Sequence, residues 1–275
     1  MRNPIITLTT DFGIKDYAVG AIKGRIHSEI SNVKIVDISH EITPFSVSET
    51  AYIIKNAYQH FPKGTIHIIA VDSEWSIENE HLVFLLDDHY FICSDNGVIS
   101  LITSYLQPSK IIKLTIDDSD TYFLANFINA ACHIARGEAL DSLGSQITDV
   151  KEISEVQPIF YEHKNELHGH VIYIDNFGNL ISNIDKKMID DFGKNRDFIV
   201  KAGRHEFTKI YNNYNDVVNF SMDSNKRNDD GKRLALFNSD NFLELALYRS
   251  NLKTVGGASS LLGLTYRDTI IIKFL

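Results

Sequence analysis

The stretch PIITLTTDFGIKDYAVGAIKG, residues 4–24, decides how the rest of the chain is read. Ile5, Ile6 and Leu8 with Thr7, Thr9 and Thr10 make the β-branched run of a buried strand. Asp11 stands at its C-terminal end, Gly13 lets the chain reverse, and Asp16 and Tyr17 lead into Val19, Gly20, Ala21, Ile22 and Lys23 as a helix opens. In open α/β sheets, ligands sit beyond the carboxyl ends of the strands. An acid at that place either caps the helix or meets a sugar or an amine.

The alternation of strand and helix patterns continues to about Gly137. Residues 33–38 form a second strand, residues 46–61 carry apolar side chains at helical spacing and stop at Pro62-Lys63-Gly64, and residues 65–71 form a third strand. Asp11, Asp37 and Asp72 close three successive strands, and parallel pairing places all three on one rim. A polar loop over residues 73–80, SEWSIENE, holds the only tryptophan, Trp75. Strands follow from Leu82 and over residues 90–93, Asn96-Gly97 signals a tight turn, and residues 127–135 read as a buried helix. Residues 140–167 sustain no period. After Gly169 come short strands and polar turns, the pattern of a small barrel or sandwich, with residues 221–232 as an exposed loop. The expected architecture is an α/β N-terminal domain with a largely parallel layered sheet over residues 1–157, a connection over 158–167, and a smaller all-β antiparallel domain over 168–275.

With 44% hydrophobic and 23% charged residues the sequence is neither disordered nor membrane-like, and a net charge of −9 argues against a nucleic-acid surface. A small molecule is the expected partner. Cys93 and Cys132, each in an apolar context, read as buried thiols of a reducing compartment, and no long apolar leader or span is visible, so the expected location is the cytoplasm. Asp11-Phe12-Gly13 spells a kinase signature but lacks the Gly-rich and catalytic-loop motifs that should precede it. His168 and His170 share a strand face without a third ligand, and Asp117, Asp118 and Asp120 read as a solvated loop, so no metal is expected.

Six stretches in order carry a resemblance: TTDFG at 9–13 with Asp16-Tyr17, VDISHEITPF at 36–45, FPKGTIHIIAVD at 61–72, SDNG at 94–97, IDNFGNLISNI at 174–184 and LFNSDNFLELAL at 236–247. Together they resemble the S-adenosylmethionine hydroxide adenosyltransferase family, relatives of the fluorinase and chlorinase enzymes. The resemblance implies a homotrimer that takes S-adenosylmethionine between the N-domain of one subunit and the C-domain of its neighbour, with no cofactor beyond that substrate. It implies that Asp11 takes the ribose hydroxyls and Asp16 lies near the methionine portion. In the second domain, Asp175, Phe177 and Asn179 match the methionine- and adenine-binding motif, and Asn238 and Ser239 a segment at the methionine carboxylate.

The catalytic part of the pattern departs from the family. Hydrolytic members use an Asp, an Arg and a His; Asp72 matches the first, but Asn79 and Tyr122 stand at the other two positions. Ser73-Glu74-Trp75-Ser76 replaces a Pro-Gly-Val-Gly turn, and Phe123-Leu124-Ala125 replaces Gly-Arg-Asp. The implied reaction converts S-adenosylmethionine and water to adenosine and methionine through Asp72, Asn79 and Tyr122. The alternatives are an adenosyl-binding protein that has lost turnover and an enzyme with a different nucleoside substrate.

Overall fold

In the computed structural model, which describes residues 3–103, 106–117 and 119–275, the run after Pro4 forms strand β1 (Ile5–Thr10) with Ile6 to Thr10 buried. Two units are distinguishable, Met1–Glu155 and Val156–Leu275. In the first, helix α1 (Ala18–Glu29) buries Ile22 and Ile26, the i, i+4 stripe of an amphipathic helix. Strand β2 (Lys34–Ser39), helix α2 (Val47–Tyr58) and strand β3 (Ile66–Ala70) follow. Strands β2 and β3 flank β1 in parallel, with Thr9 opposite Ser39 and Thr10 opposite Ala70, so the three strands end level.

The unit continues through β4 (His81–Leu86), β5 (His89–Ser94), α3 (Val98–Thr103), β6 (Lys110–Leu114), α4 (Ala125–Ala135) and β7 (Gly144–Gln146). Among the described residues the sheet has seven strands in the order β2-β1-β3-β5-β4-β6-β7. It is parallel only across β2-β1-β3-β5; the β4/β5, β4/β6 and β6/β7 pairs are antiparallel, which corrects the expectation of a largely parallel sheet. The cause is local. Asp87 and Asp88 both hold positive φ, 51° and 63°, the backbone of a two-residue hairpin turn, so the chain returns beside β4 without a crossover helix. Asn96-Gly97, by contrast, joins no two strands: the Asn96 side chain accepts from Val98 N at 3.1 Å and opens α3.

Side chains alternate across the sheet and fill a core on each face. Ile6, Leu8, Ile66, Ile68 and Ile92 pack with α1 and α4, whereas Ile69, Phe84, Phe91 and Cys93 pack with α2 and α3. Each such side chain contributes about 1.5–3 kcal/mol on burial, which is what makes the rim of strand ends a rigid platform. Both cysteines are free and buried.

The second unit holds β8 (Ile159–Tyr161), β9 (Glu166–Ile174), β10 (Leu180–Asp185), α5 (Lys186–Gly193), β11 (Phe198–Ala202), β12 (His205–Phe207), β13 (Ile210–Tyr211), β14 (Arg233–Phe237), β15 (Phe242–Leu247), α6 (Ala258–Leu262) and β16 (Thr269–Phe274). Among the described residues these strands form a nine-stranded sheet, β12-β11-β16-β9-β10-β15-β14-β13, with β8 against β9. Helices α5 and α6 and one parallel strand pair correct the all-β, antiparallel expectation. Helix α5 interrupts the strands because the Asp185 side chain accepts from Met188 N at 2.7 Å and caps its start. The β13/β14 pair is parallel. No helix among the described residues is long and apolar enough to cross a membrane.

Candidate functional site

On the rim of the first unit, Asp11 follows β1 directly. Its Oδ2 accepts from Phe45 N at 3.0 Å, so the carboxylate joins the turn to the 36–45 segment and does not cap α1. Gly13, at φ 69°, donates its N–H to the His40 carbonyl at 2.7 Å. Asp16 accepts from Ala18 N at 3.1 Å and is exposed, an Asx turn that starts the helix. Asp37 differs from the expectation of a rim acid open to a ligand. It lies inside β2, 2.6 Å from Lys23 Nζ and 3.1 Å from His40 Nε2. Burial raises its pKa, but the Lys23 hydrogen bond and His40 outweigh that and hold the carboxyl below its ordinary value. Asp37 is thus part of the scaffold.

Asp72 follows β3, the strand next to β1, and holds φ at 47°. A left-handed backbone costs a non-glycine residue roughly 1–2 kcal/mol, and two amides hold it in place. Asn79 Nδ2 donates to the Asp72 carbonyl at 2.9 Å and to the Glu74 carbonyl at 3.0 Å. Asn96 Nδ2 donates to the Val71 and Asp72 carbonyls at 3.1 and 3.3 Å. The Ser76 to Asn79 turn closes with paired backbone hydrogen bonds. Asn79 therefore braces the loop, and the SDNG stretch braces its base. His81, missed in the sequence, caps the same loop from within: it is buried, its Nε2 lies 3.0 Å from the Ser73 carbonyl, and burial, opposed by that bond, lowers its pKa. Trp75 lines a cleft of about 560 Å³ with Glu80, Lys113, Thr115, Asp141 and Ser142. That cleft opens at β6, four strand spacings or roughly 19 Å from β1.

Tyr122 precedes α4. Arg25 of α1 lies with its guanidinium 4.4 Å over the Tyr122 ring and forms an ion pair with Asp120, while Phe123 meets Phe12 edge-on at 5.4 Å. The strap over 120–123 is thereby fastened to the Asp11 turn by one aromatic contact and to α1 by one cation. The Tyr122 hydroxyl is buried, with no hydrogen-bond partner among the described residues. Burial raises its pKa, Arg25 opposes this and Tyr17 adds to it. No hydrogen bond, ion pair or ring contact among the described residues joins Asp72 or Asn79 to Tyr122. Of the acidic trio, Asp117 accepts from Ser119 and Asp120 pairs with Arg25; Asp118 lies outside the described residues.

In the second unit, Asp175, Phe177 and Asn179 fold on one another between β9 and β10. Asp175 Oδ1 accepts from Phe177 N and Asn179 N, both at 2.8 Å, and Oδ2 from Asn179 Nδ2 at 2.9 Å. Gly178 sits at φ 80°, where a Cβ would come 2.7 Å from Leu252, so only glycine fits. The Phe177 side chain is left 58% exposed, a free aromatic face. Two groups missed in the sequence complete the cluster. Asn179 Nδ2 lies 3.3 Å from the Tyr214 hydroxyl, which donates to buried Glu244. Burial raises the Glu244 pKa, against the Tyr214 hydrogen bond and with help from Asp175. Glu244 was visible as the lone acid within the apolar run FLELAL. Asn238 accepts from Asp240 N and Phe242 N, both at 3.0 Å, and shapes the turn that leaves Ser239 exposed. His168 pairs with Glu166 at 3.0 Å and His170 Nδ1 lies 3.1 Å from the Arg267 carbonyl.

Comparison with known proteins is consistent along the whole chain. The profile of the SAM hydroxide adenosyltransferase N-terminal domain matches residues 6–144, and that of the C-terminal domain residues 169–271. The chain is 31% identical to a Methanocaldococcus jannaschii protein named (R)-S-adenosyl-L-methionine hydrolase, over 98% of this chain and 95% of that one. It is 24% identical to a Nocardia brasiliensis fluorinase over 70% and 75% of the respective chains. The crystal structure of an uncharacterized conserved protein from Thermotoga maritima superposes with a TM-score of 0.81 at 26% identity, covering 98% of this chain and 99% of that one. Two domain matches that together span most of the sequence, and a relative above 30% identity end to end, place this chain in the S-adenosylmethionine hydroxide adenosyltransferase family.

Proposed function

We propose that the protein binds S-adenosylmethionine and hydrolyses it to adenosine and methionine. Water attacks the ribose C5′, the C5′–S bond breaks with its electron pair going to sulfur, methionine leaves uncharged, and the water gives up a proton. Because the leaving group is neutral, no general acid and no added cofactor are called for; the protein must place and desolvate the nucleophile. The observation that carries the reading is the pairing of β1 with β3, which puts Asp11 and Asp72 on adjacent strand ends of one rigid rim. In this reading Asp11 accepts from the ribose diol, Asp16 lies toward the methionine portion, and Asp72 orients water. Asp175, Asn179, Asn238 and Ser239 bind the methionine and adenine ends, with Phe177 as a stacking face. The active form is a cytoplasmic homotrimer in which neighbouring subunits complete one another's sites.

Incubating the purified protein with S-adenosylmethionine and resolving the products by chromatography tests this: adenosine and methionine should appear in equal amounts. A second reading, an adenosyl binder without turnover, is favoured by one observation. Both amide hydrogens of Asn79 are taken by backbone carbonyls, so the side chain at the family's arginine position has no donor left for a nucleophile. Saturable binding of S-adenosylmethionine without product selects that reading. Light scattering at three times the chain mass of 31.2 kDa tests the trimer.

A further inference from the structure

The turn that carries Asp11 is held from one side by a single buried side chain. His40 is 5% exposed; its Nδ1 lies 2.9 Å from Thr10 Oγ1, and its own carbonyl accepts from Gly13 N at 2.7 Å. The Thr10 hydroxyl, fully buried, is reached in turn by Phe12 N at 3.4 Å. On the other side of the ring, Nε2 stands 3.1 Å from Asp37 Oδ1, close enough for charge attraction though short of hydrogen-bond alignment. A carboxylate there favours the tautomer protonated on Nε2, which leaves Nδ1 as an acceptor. The hydrogen bonds then run one way, from Phe12 N–H to the Thr10 hydroxyl and from that hydroxyl to His40 Nδ1. The residues held, 10, 12 and 13, surround Asp11 in the chain.

We propose that His40 is a positioning residue for the ligand-binding turn: its ring, through the Thr10 hydroxyl, fixes the Phe12 N–H, its carbonyl holds the Gly13 N–H, and together they set where the Asp11 carboxylate stands. The ligand part rests on the reading of Asp11 as the ribose acceptor. A histidine that merely fills core space would serve no better than any side chain of similar volume. A positioning histidine is replaceable only by a group that keeps an acceptor where Nδ1 was.

Four variants separate these: His40→Ala, His40→Gln, His40→Asn and Thr10→Val. The asparagine oxygen takes the place of Nδ1, the glutamine amide reaches toward the place of Nε2, and valine keeps the threonine shape without the hydroxyl. Two readouts are taken, amide hydrogen exchange at Phe12 and Gly13 and calorimetric binding of adenosine. His40→Ala, His40→Gln and Thr10→Val should each speed exchange at the Phe12 amide by about tenfold, the loss of one net hydrogen bond, while the Gly13 amide, bonded to the residue-40 carbonyl, changes less and the β3 amides stay protected. They should weaken adenosine binding by a similar factor, and His40→Asn should stay within about threefold of wild type on both counts. The double variant Thr10→Val/His40→Ala should be no worse than His40→Ala alone. Unchanged exchange in His40→Ala, a uniform loss of protection across the sheet, or His40→Asn no better than His40→Gln overturns the proposal. Wild-type protein that fails to bind adenosine sinks the ligand reading of Asp11 instead, while the exchange data still decide whether His40 holds the turn.

Discussion

Asn79 is a brace for the loop that follows β3. At the position where the resemblance calls for arginine, it secures the Asp72 and Glu74 carbonyls. Putting arginine back is therefore not a repair. Asn79→Arg should remove two hydrogen bonds, lower stability by about 1–2 kcal/mol in urea unfolding, and give no gain in adenosine release, even with Tyr122→His beside it. A clear rise in hydrolysis in the double variant would show that the loop tolerates arginine and histidine at these positions. In the proposed reading Asp11 has both a structural and a ligand role. Asp11→Asn keeps an oxygen for Phe45 N, so its melting temperature should stay near wild type, while its affinity for adenosine should fall roughly tenfold or more as a charged acceptor is lost. Asp11→Ala should lose both. Equal affinity in wild type and Asp11→Asn would remove Asp11 from the binding site. The types and order of these residues could be read from the chain, but their partners could not. Asn79 bonds to carbonyls up to seven positions earlier, and Tyr122 is met by Arg25 from another helix, contacts that no local pattern announces.

At the scale of elements, the sheet of the first unit contains a polar seam that composition gave no reason to expect. His67 in β3 is fully buried, its Nδ1 2.7 Å from Thr7 Oγ1 and its Nε2 3.2 Å from His89 Nδ1, with Tyr58 of α2 packed edge-on against both rings. Burial, helped by His89, lowers the His67 pKa to about 3. The folded protein therefore keeps this ring neutral down to acid pH, whereas the unfolded chain protonates it near 6.5. Its contribution to stability is flat above pH 6.5 and falls as pH drops from there toward 3, because the unfolded state gains the proton first. Between pH 7.5 and 4.5 this one ring should cost about 2–3 kcal/mol. Urea unfolding of wild type and His67→Met at both pH values isolates it from the carboxylates, and parallel pH slopes for the two proteins would rule it out. The elements themselves were mostly legible: β1, β2, α2, β3 and α4 lie within a few residues of where periodicity puts them. What escaped was the reversal at Asp87-Asp88, since two aspartates give a weaker turn signal than Asn-Gly, and with it went the direction of β4, which makes the pairs on both its sides antiparallel. Helix α5 escaped because a polar run such as Lys186–Gly193 hides its single apolar stripe among charges.

Across the molecule, each unit presents its candidate residues on a prepared backbone: the level strand ends of β1 and β3 in one, the self-bonded Asp175 to Asn179 turn in the other. The second was legible only by resemblance, because nothing in a short Asp-Asn-Phe-Gly-Asn run reveals that its acid will take three donors from its own neighbours. Both cysteines lie in the first unit, as does Trp75, and burial pushes the Cys132 thiol up to about 11 and Cys93 higher still. A thiol held protonated and out of water does not react with disulfide reagents. The native protein should thus consume no Ellman's reagent at pH 8, and each equivalent it takes up during denaturation should report the first unit alone. Chromophore and nucleophile together form a built-in reporter for one half of the chain. The other half has neither tryptophan nor cysteine, so comparing these two signals with circular dichroism of the whole chain resolves sequential melting of the two halves without attaching a label.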